Sequence, residues 1–227
     1  MSALLIKRTA ALFAQTRMFY AARFLLIIFG LATAFAVPNQ ASANDVPDTI
    51  IVFDASGSMW GQISGQSKIE AARSAARNML ETWPANANLG VIAYGHRRKG
   101  DCKDIEIIAP LSPLNGMAIA DKIDALTPTG KTPITASLIE AGNILKDKEG
   151  KANVILISDG IETCQGDPCA AAETIKASGA GFTAYVIGFD IGDAATKAQL
   201  QCIATKTGGV YFDAKDAGEL GDRKSVV

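Results

Sequence analysis

Thr49-Ile50-Ile51-Val52-Phe53-Asp54-Ala55-Ser56-Gly57-Ser58 carries an apolar, largely β-branched run straight into a short polar loop. A run such as Ile50 to Phe53, with no polar alternation, reads as a strand buried on both faces, which points to a parallel sheet covered by helices. A second run of this kind, Val154 to Ile157, ends in Ser158-Asp159-Gly160; as the most apolar strand of the chain it is expected at the sheet centre. Between them lies Thr129-Gly130-Lys131-Thr132-Pro133. Open α/β sheets bind ligands at the carboxyl ends of their strands, so the three segments are read together. Asp54, Ser56, Ser58, Thr132 and Asp159 then supply hard oxygen donors and no soft ones, a set suited to magnesium, manganese or calcium.

Strand and helix patterns alternate around this frame. Ser67 and Glu70 form a capping box ahead of Ile69, Ala72, Ala76, Met79, Leu80 and Trp83 at helical spacing. Leu89 to Gly95 and Ile105 to Pro110 read as strands joined by a basic loop short enough for an antiparallel hairpin. A helix over Met117 to Leu126 precedes the threonine segment, where Thr132 is expected to cap a helix opening at Pro133. Helix, strand, helix and strand follow at Pro168 to Lys176, Phe182 to Phe189, Ala194 to Thr207 and Val210 to Asp213. The fold class is α/β: a doubly wound, mostly parallel central sheet of about six strands, with one antiparallel edge strand and helices on both faces. One domain over residues 46–220 accounts for it, with a last helix expected from Ala217 and a tail at 221–227.

Residues 1–43 carry Lys7, Arg8, Arg17 and Arg23 and no acid, then the apolar stretch Phe24 to Ala36, then Ala41-Ser42-Ala43. That is the pattern of a secretory signal peptide cleaved after Ala43, with Met18 as an alternative start. The apolar stretch is shorter than the roughly 20 residues that span a bilayer, although an uncleaved anchor is the competing reading. Cleavage leaves a mildly acidic chain with no general attraction to nucleic acid and no further membrane segment, expected in the periplasm or secreted. Cys102, Cys164, Cys169 and Cys202 suit disulfides in such a compartment, and the turn-like Gln165-Gly166-Asp167-Pro168 favours a local Cys164–Cys169 bridge. A single histidine, His96, speaks against a zinc site.

Taken singly, the polar residues have ordinary explanations as turn and helix caps. Taken jointly, Asp54-x-Ser56-x-Ser58, Thr132 in Gly130-Lys131-Thr132-Pro133 and Asp159 in Ser158-Asp159-Gly160 resemble the metal-ion-dependent adhesion site (MIDAS) of von Willebrand factor type A domains. The resemblance covers nearly the whole mature chain, since the element order also fits, and extends to bacterial exported single-domain members. It implies that Ser56, Ser58 and Thr132 meet the cation, magnesium first of all, through hydroxyls, with Asp54 and Asp159 acting directly or through water. It also implies capture of an acidic side chain of a protein partner at an open coordination position.

Other residues near these segments have two readings each. His96, Arg97, Arg98 and Lys99 either steer an acidic partner or form a solvated loop. Trp60 either anchors a partner or packs beneath the metal loop. Glu162 reads as a surface charge. The rival function is a metal-dependent hydrolase or phosphatase using Asp54 as nucleophile. Against it, the chain has no G-x-S-x-G elbow and no phosphate-binding GxxxxGK[ST] loop. A structural domain with an unused site is the third possibility.

Overall fold

The computed structural model describes residues 46–147, 151–178 and 181–214. The expected leader over residues 1–43, the last helix from Ala217 and the tail at 221–227 lie outside the described residues. The elements run β1 Asp48–Asp54, β2 Gln62–Ile63, β3 Gln66–Ser67, α1 Lys68–Thr82, β4 Asn88–Tyr94, β5 Ile105–Pro113, α2 Gly116–Asp124 and α3 Ile134–Leu145. They continue with β6 Ala152–Ser158, α4 Pro168–Ala177, β7 Thr183–Phe189, α5 Ala194–Thr207 and β8 Tyr211–Ala214.

Six strands form one sheet in the order β5-β4-β1-β6-β7-β8. Only the β4–β5 pair is antiparallel. From β1 the chain winds outward through β4 and β5 on one side, then through β6, β7 and β8 on the other. The direction of winding therefore reverses between β1 and β6, and a crevice opens there at the carboxyl ends of the two strands. Those ends carry Asp54 and Asp159. The apolar runs identified in the sequence are thus the two central strands.

The pleat divides the core. Ile51 and Phe53 of β1 pack with Ile69, Ala72, Ala76 and Leu80 of α1 and with Ile119 and Ile123 of α2. Ile50 and Val52 face Ile134, Leu138 and Ala141 of α3 and Leu200 and Ile203 of α5. Ile50 to Phe53 are fully buried, and each such side chain contributes about 1.5–3 kcal/mol of transfer free energy. Alternation along one strand thus supplies both layers of the domain.

The capping box forms as the sequence predicts, with Glu70 accepting from the Ser67 backbone N–H at 2.9 Å. The β2–β3 ribbon is an addition to the expected elements. Its turn, Ser64-Gly65, has φ of 50° and 87°, the paired left-handed geometry of a tight hairpin. Strand β5 runs on to Pro113, past Pro110, with register shifts against β4. Its place at the sheet edge lets both prolines lack a backbone donor.

The local Cys164–Cys169 bridge does not form. Cys102 pairs with Cys164 and Cys169 with Cys202, each with Cα atoms 5.5 Å apart. The intervening turn is used differently. The Asp167 carboxylate accepts from the N–H groups of Cys169 and Ala170, 3.0 Å each, and so caps α4. Cys169 is thereby wound into α4 and crosslinked to α5, while Cys164 stays in the loop and reaches the β4–β5 hairpin. Peptide mapping of the non-reduced protein is expected to recover linked fragments for 102–164 and 169–202. Recovery of a closed 164–169 loop would show this connectivity to be wrong.

Candidate metal centre

Asp54 closes β1 opposite Tyr94 of β4 and is fully buried. One carboxylate oxygen, Oδ1, accepts from the Ser56 N–H at 2.8 Å, which bends the chain into a 3-10 turn over Gly57–Trp60. The other, Oδ2, accepts from Ser158 Oγ at 2.7 Å, and Tyr94 donates to that same hydroxyl at 3.2 Å. Burial, then the nearby charge of Asp54, holds the Tyr94 phenol well above its usual range. It therefore remains a neutral donor at the floor of the crevice.

Ser56 Oγ and Ser58 Oγ are 3.0 Å apart, and Ser58 Oγ donates to Asp159 Oδ1 at 2.6 Å. Residues from the ends of β1 and β6 therefore meet directly, with Ser58 on the exposed side of the group and Asp54 at its base. The third segment is laced to both. Ser56 bridges Gly130, Gly57 N–H donates to Gly130 O at 3.1 Å, and Thr129 N–H donates to Ala55 O at 3.2 Å. Buried Thr132 receives a bond at its carbonyl from Thr163 N–H, 3.1 Å, and donates its own N–H to Thr163 Oγ1, 2.8 Å. All five residues singled out in the sequence lie on these three interlocked segments.

Thr132 does not cap α3. The helix begins at Ile134, with Pro133 in the cap position and no side-chain cap bond from it. Glu162 serves instead. Its Oε2 accepts from Thr135 N–H and its Oε1 from Cys164 N–H, at 2.8 and 2.7 Å. A carboxylate at a helix N-terminus also suits the helix dipole. The residue read as a surface charge is therefore a clamp between two loops of the site.

Two glycines fix the approach of those loops. Gly95 has φ +69°, and a Cβ there would lie 2.5 Å from Lys131 O and 2.9 Å from Ser56 Cα. A Cβ on Gly130 would lie 2.5 Å from Arg98 O. Neither was distinguishable in the sequence from an ordinary loop glycine.

The electrostatics ask for a cation. Burial, and then repulsion from Asp159, raises the Asp54 carboxyl from its ordinary value to about 6. Asp159 Oδ2 is buried with no aligned hydrogen-bond donor, although the Lys68 ammonium stands 3.2 Å away. Two carboxylates with hydroxyls packed between them fit a small hard cation. Among the described residues no group of three or more His, Cys, Asp or Glu gathers that could hold a metal ion.

Much of the basic hairpin is paired within itself. His96 Nε2 lies 2.9 Å from Glu106, Arg97 pairs with Asp104 at 2.7 Å and Glu106 at 3.2 Å, and Arg98 pairs with Asp101 at 3.0 Å. Asp104 is buried and also accepts from the N–H groups of Arg97 and Arg98. Burial opposes ionisation of Asp104, but the bonds from Arg97 and Arg98 prevail and hold its carboxyl below its usual value. Arg97 and Arg98 thus help to fold the loop while staying partly exposed. Trp60 is 54% exposed, with its indole N–H anchored on Pro128 O at 2.9 Å.

The sequence model of the von Willebrand factor type A domain matches residues 48–224. YwmD, an uncharacterized protein of Bacillus subtilis, is 32% identical over 205 residues, which cover 86% of this chain and 89% of YwmD. The vWF domain of Mfa5, the type V pili tip protein of Porphyromonas gingivalis, superposes with a TM-score of 0.61 at 18% identity, covering 78% of this chain and 93% of that one. Proximal thread matrix protein 1 of the mussel byssus, solved with a zinc-occupied MIDAS motif, gives a TM-score of 0.61 at 20% identity, covering 80% of this chain and 46% of that one. At these identities the two structures share the fold.

The glycine geometry is open to a direct check. Gly95→Ala combines a left-handed backbone with a clash and is expected to cost about 3 kcal/mol in urea unfolding. Gly100→Ala, also at positive φ (+77°) but with open space around it, is expected to cost only about 1 kcal/mol. Equal losses for the two would mean that close loop approach does not matter.

Proposed function

The chain belongs to the von Willebrand factor type A domain family, and on that premise we propose that it is an exported, divalent-cation-dependent protein-binding domain that captures an acidic side chain of its partner. The observation that carries this reading is the 2.6 Å contact of Ser58 with Asp159 across the crevice between β1 and β6. It gathers oxygen donors from both strand ends at the switch point of the sheet. Ser56, Ser58 and Thr132 would hold the ion through hydroxyls, with Asp54 and Asp159 behind them. Magnesium suits these donors best, and manganese or calcium suits the same oxygen set. The mussel byssus protein of the same fold was solved with zinc in its MIDAS motif, which supports a divalent ion as the ligand class. Once bound, the ion supplies an incompletely neutralised positive charge that attracts an external carboxylate.

The chain's own residues favour binding over turnover. Both oxygens of Asp54 are engaged, by Ser56 N–H and by Ser158 Oγ, and the side chain is fully buried. It is a poor candidate for a nucleophile, which must reach a substrate. The exposed face of Trp60, two residues from Ser58, offers apolar area beside the opening. The basic leader with its A-x-A site supports export, and the two disulfides suit an oxidising compartment. No helix of the described residues is long and apolar enough to cross a membrane.

Calorimetric titration of the protein with magnesium and manganese is expected to show one site, lost in Asp54→Ala. Binding requires Asp54 to be ionised. Since its carboxyl is raised to about 6, affinity should fall as pH drops through 6 and be about tenfold lower at pH 5 than at pH 7. Heat of binding unaffected by Asp54→Ala would remove the cation from this reading. Partner capture is checked separately by pull-down from envelope extract. A partner is expected to be retained in magnesium and released by chelator, and bait lists unchanged by chelator would leave the domain without metal-dependent capture.

A further inference from the structure

Lys68 occupies a position that local rules disfavour. It is the first residue of α1, where a cation opposes the partial positive charge of the helix N-terminus. Its side chain is nonetheless only 13% exposed, with Nζ 3.2 Å from Asp159 Oδ2 and 3.4 Å from Asp190 Oδ2. The path of its stem is prepared. A Cβ on Gly61 would lie 3.2 Å from Lys68 Cε, and Lys68 N–H donates to Gly61 O at 2.8 Å. The second anchor is also held. Asp190 has φ +49°, with its N–H donating to Ala214 O at 3.0 Å after the end of β7. A long cationic side chain is therefore laid over the metal loop and delivered to the oxygen of Asp159 that lacks an aligned donor. Departures from local preference of this kind collect at functional sites.

We propose that Lys68 is a resident counter-cation for Asp159 that weakens divalent-ion binding and leaves the bound ion short of negative charge. The inference rests on the metal-binding reading above. Two carboxylates alone would fully balance a divalent ion. The Lys68 ammonium beside them cancels part of that charge. Asp190, 3.4 Å from the same ammonium, offsets it only in part, because its side chain is 52% exposed and screened by water. A bound ion is therefore left short of negative charge and draws the remainder from outside. Lys68 thus sets the demand for a partner carboxylate: it is a specificity-determining residue that acts through Asp159. Asp190 holds the ammonium in place without contributing a donor to the Asp54–Ser56–Ser58 group.

Lys68→Met keeps the length of the stem and removes the charge, and Lys68→Arg keeps the charge. Magnesium titration is expected to show at least tenfold tighter binding in Lys68→Met and binding within threefold of wild type in Lys68→Arg. With manganese-saturated protein, acetate read by electron paramagnetic resonance should bind at least threefold more weakly to Lys68→Met. In chelator, Lys68→Met should melt below wild type, because two buried carboxylates are left to repel, and magnesium should reverse that order. Magnesium affinity unchanged or weakened in Lys68→Met, or raised equally in Lys68→Arg, overturns the inference while leaving the site a metal site. A wild-type protein that binds neither ion overturns the metal reading and the competition together, and the melting order in chelator then reports on Lys68 and Asp159 alone.

Discussion

The parallel pairing of β1 with β6 is the constraint on which the rest depends. Its register matches Phe53 with Ile157, so the residues just beyond, Asp54 and Ser158, emerge side by side and bond at 2.7 Å. Both strands are buried on both faces, so this alignment is enforced by core packing on two sides and not by the polar residues themselves. Slipping either strand by one residue would exchange the side chains that pack into the two helical layers. The cost of burying two carboxylates is thus borne by a seam that cannot relax to separate them.

Around that seam the loops are tied by ordinary chemistry. Gly95 and Gly130 let backbones touch, Thr163 brackets Thr132, and Glu162 joins the start of α3 to the loop ahead of α4. Few of these contacts resemble a binding site in isolation. Their joint effect is to hold hydroxyls and acids still, so that the crevice is formed in advance and little ordering entropy is left for any ligand to overcome.

Much of this was legible beforehand. Apolar runs from Ile50 and Val154 announced buried parallel strands, and Ser67 with Glu70 marked a helix start to the residue. Asp54, Ser56, Ser58 and Asp159 drew notice because they follow apolar strands, and Thr132 because it precedes Pro133. What escaped depends on distant pairs. Cys102 and Cys164 are 62 positions apart, and nothing local says that they meet, whereas the tetrapeptide after Cys164 looked like a turn and proved to be a helix cap. Glu162 and Lys68 had the same difficulty, since a charge on a loop or at a helix start looks solvated until its partner is known. In the basic hairpin the pairing of Arg97 and Arg98 with Asp101, Asp104 and Glu106 likewise depends on how the loop folds back, which spacing alone does not give.

One feature of β5 bears on how the domain behaves in company. This edge strand carries Pro110 and Pro113, its register against β4 is broken, and the Lys122 ammonium sits on Ile108 O at 2.7 Å. Each of these removes or obstructs a group that a foreign strand would need in order to zip onto the sheet. Crowded copies of this domain should therefore resist sheet-to-sheet aggregation along that border. The loop-built end is the opposite kind of surface, one that presents side chains such as Ser58 and Trp60 in place of open backbone.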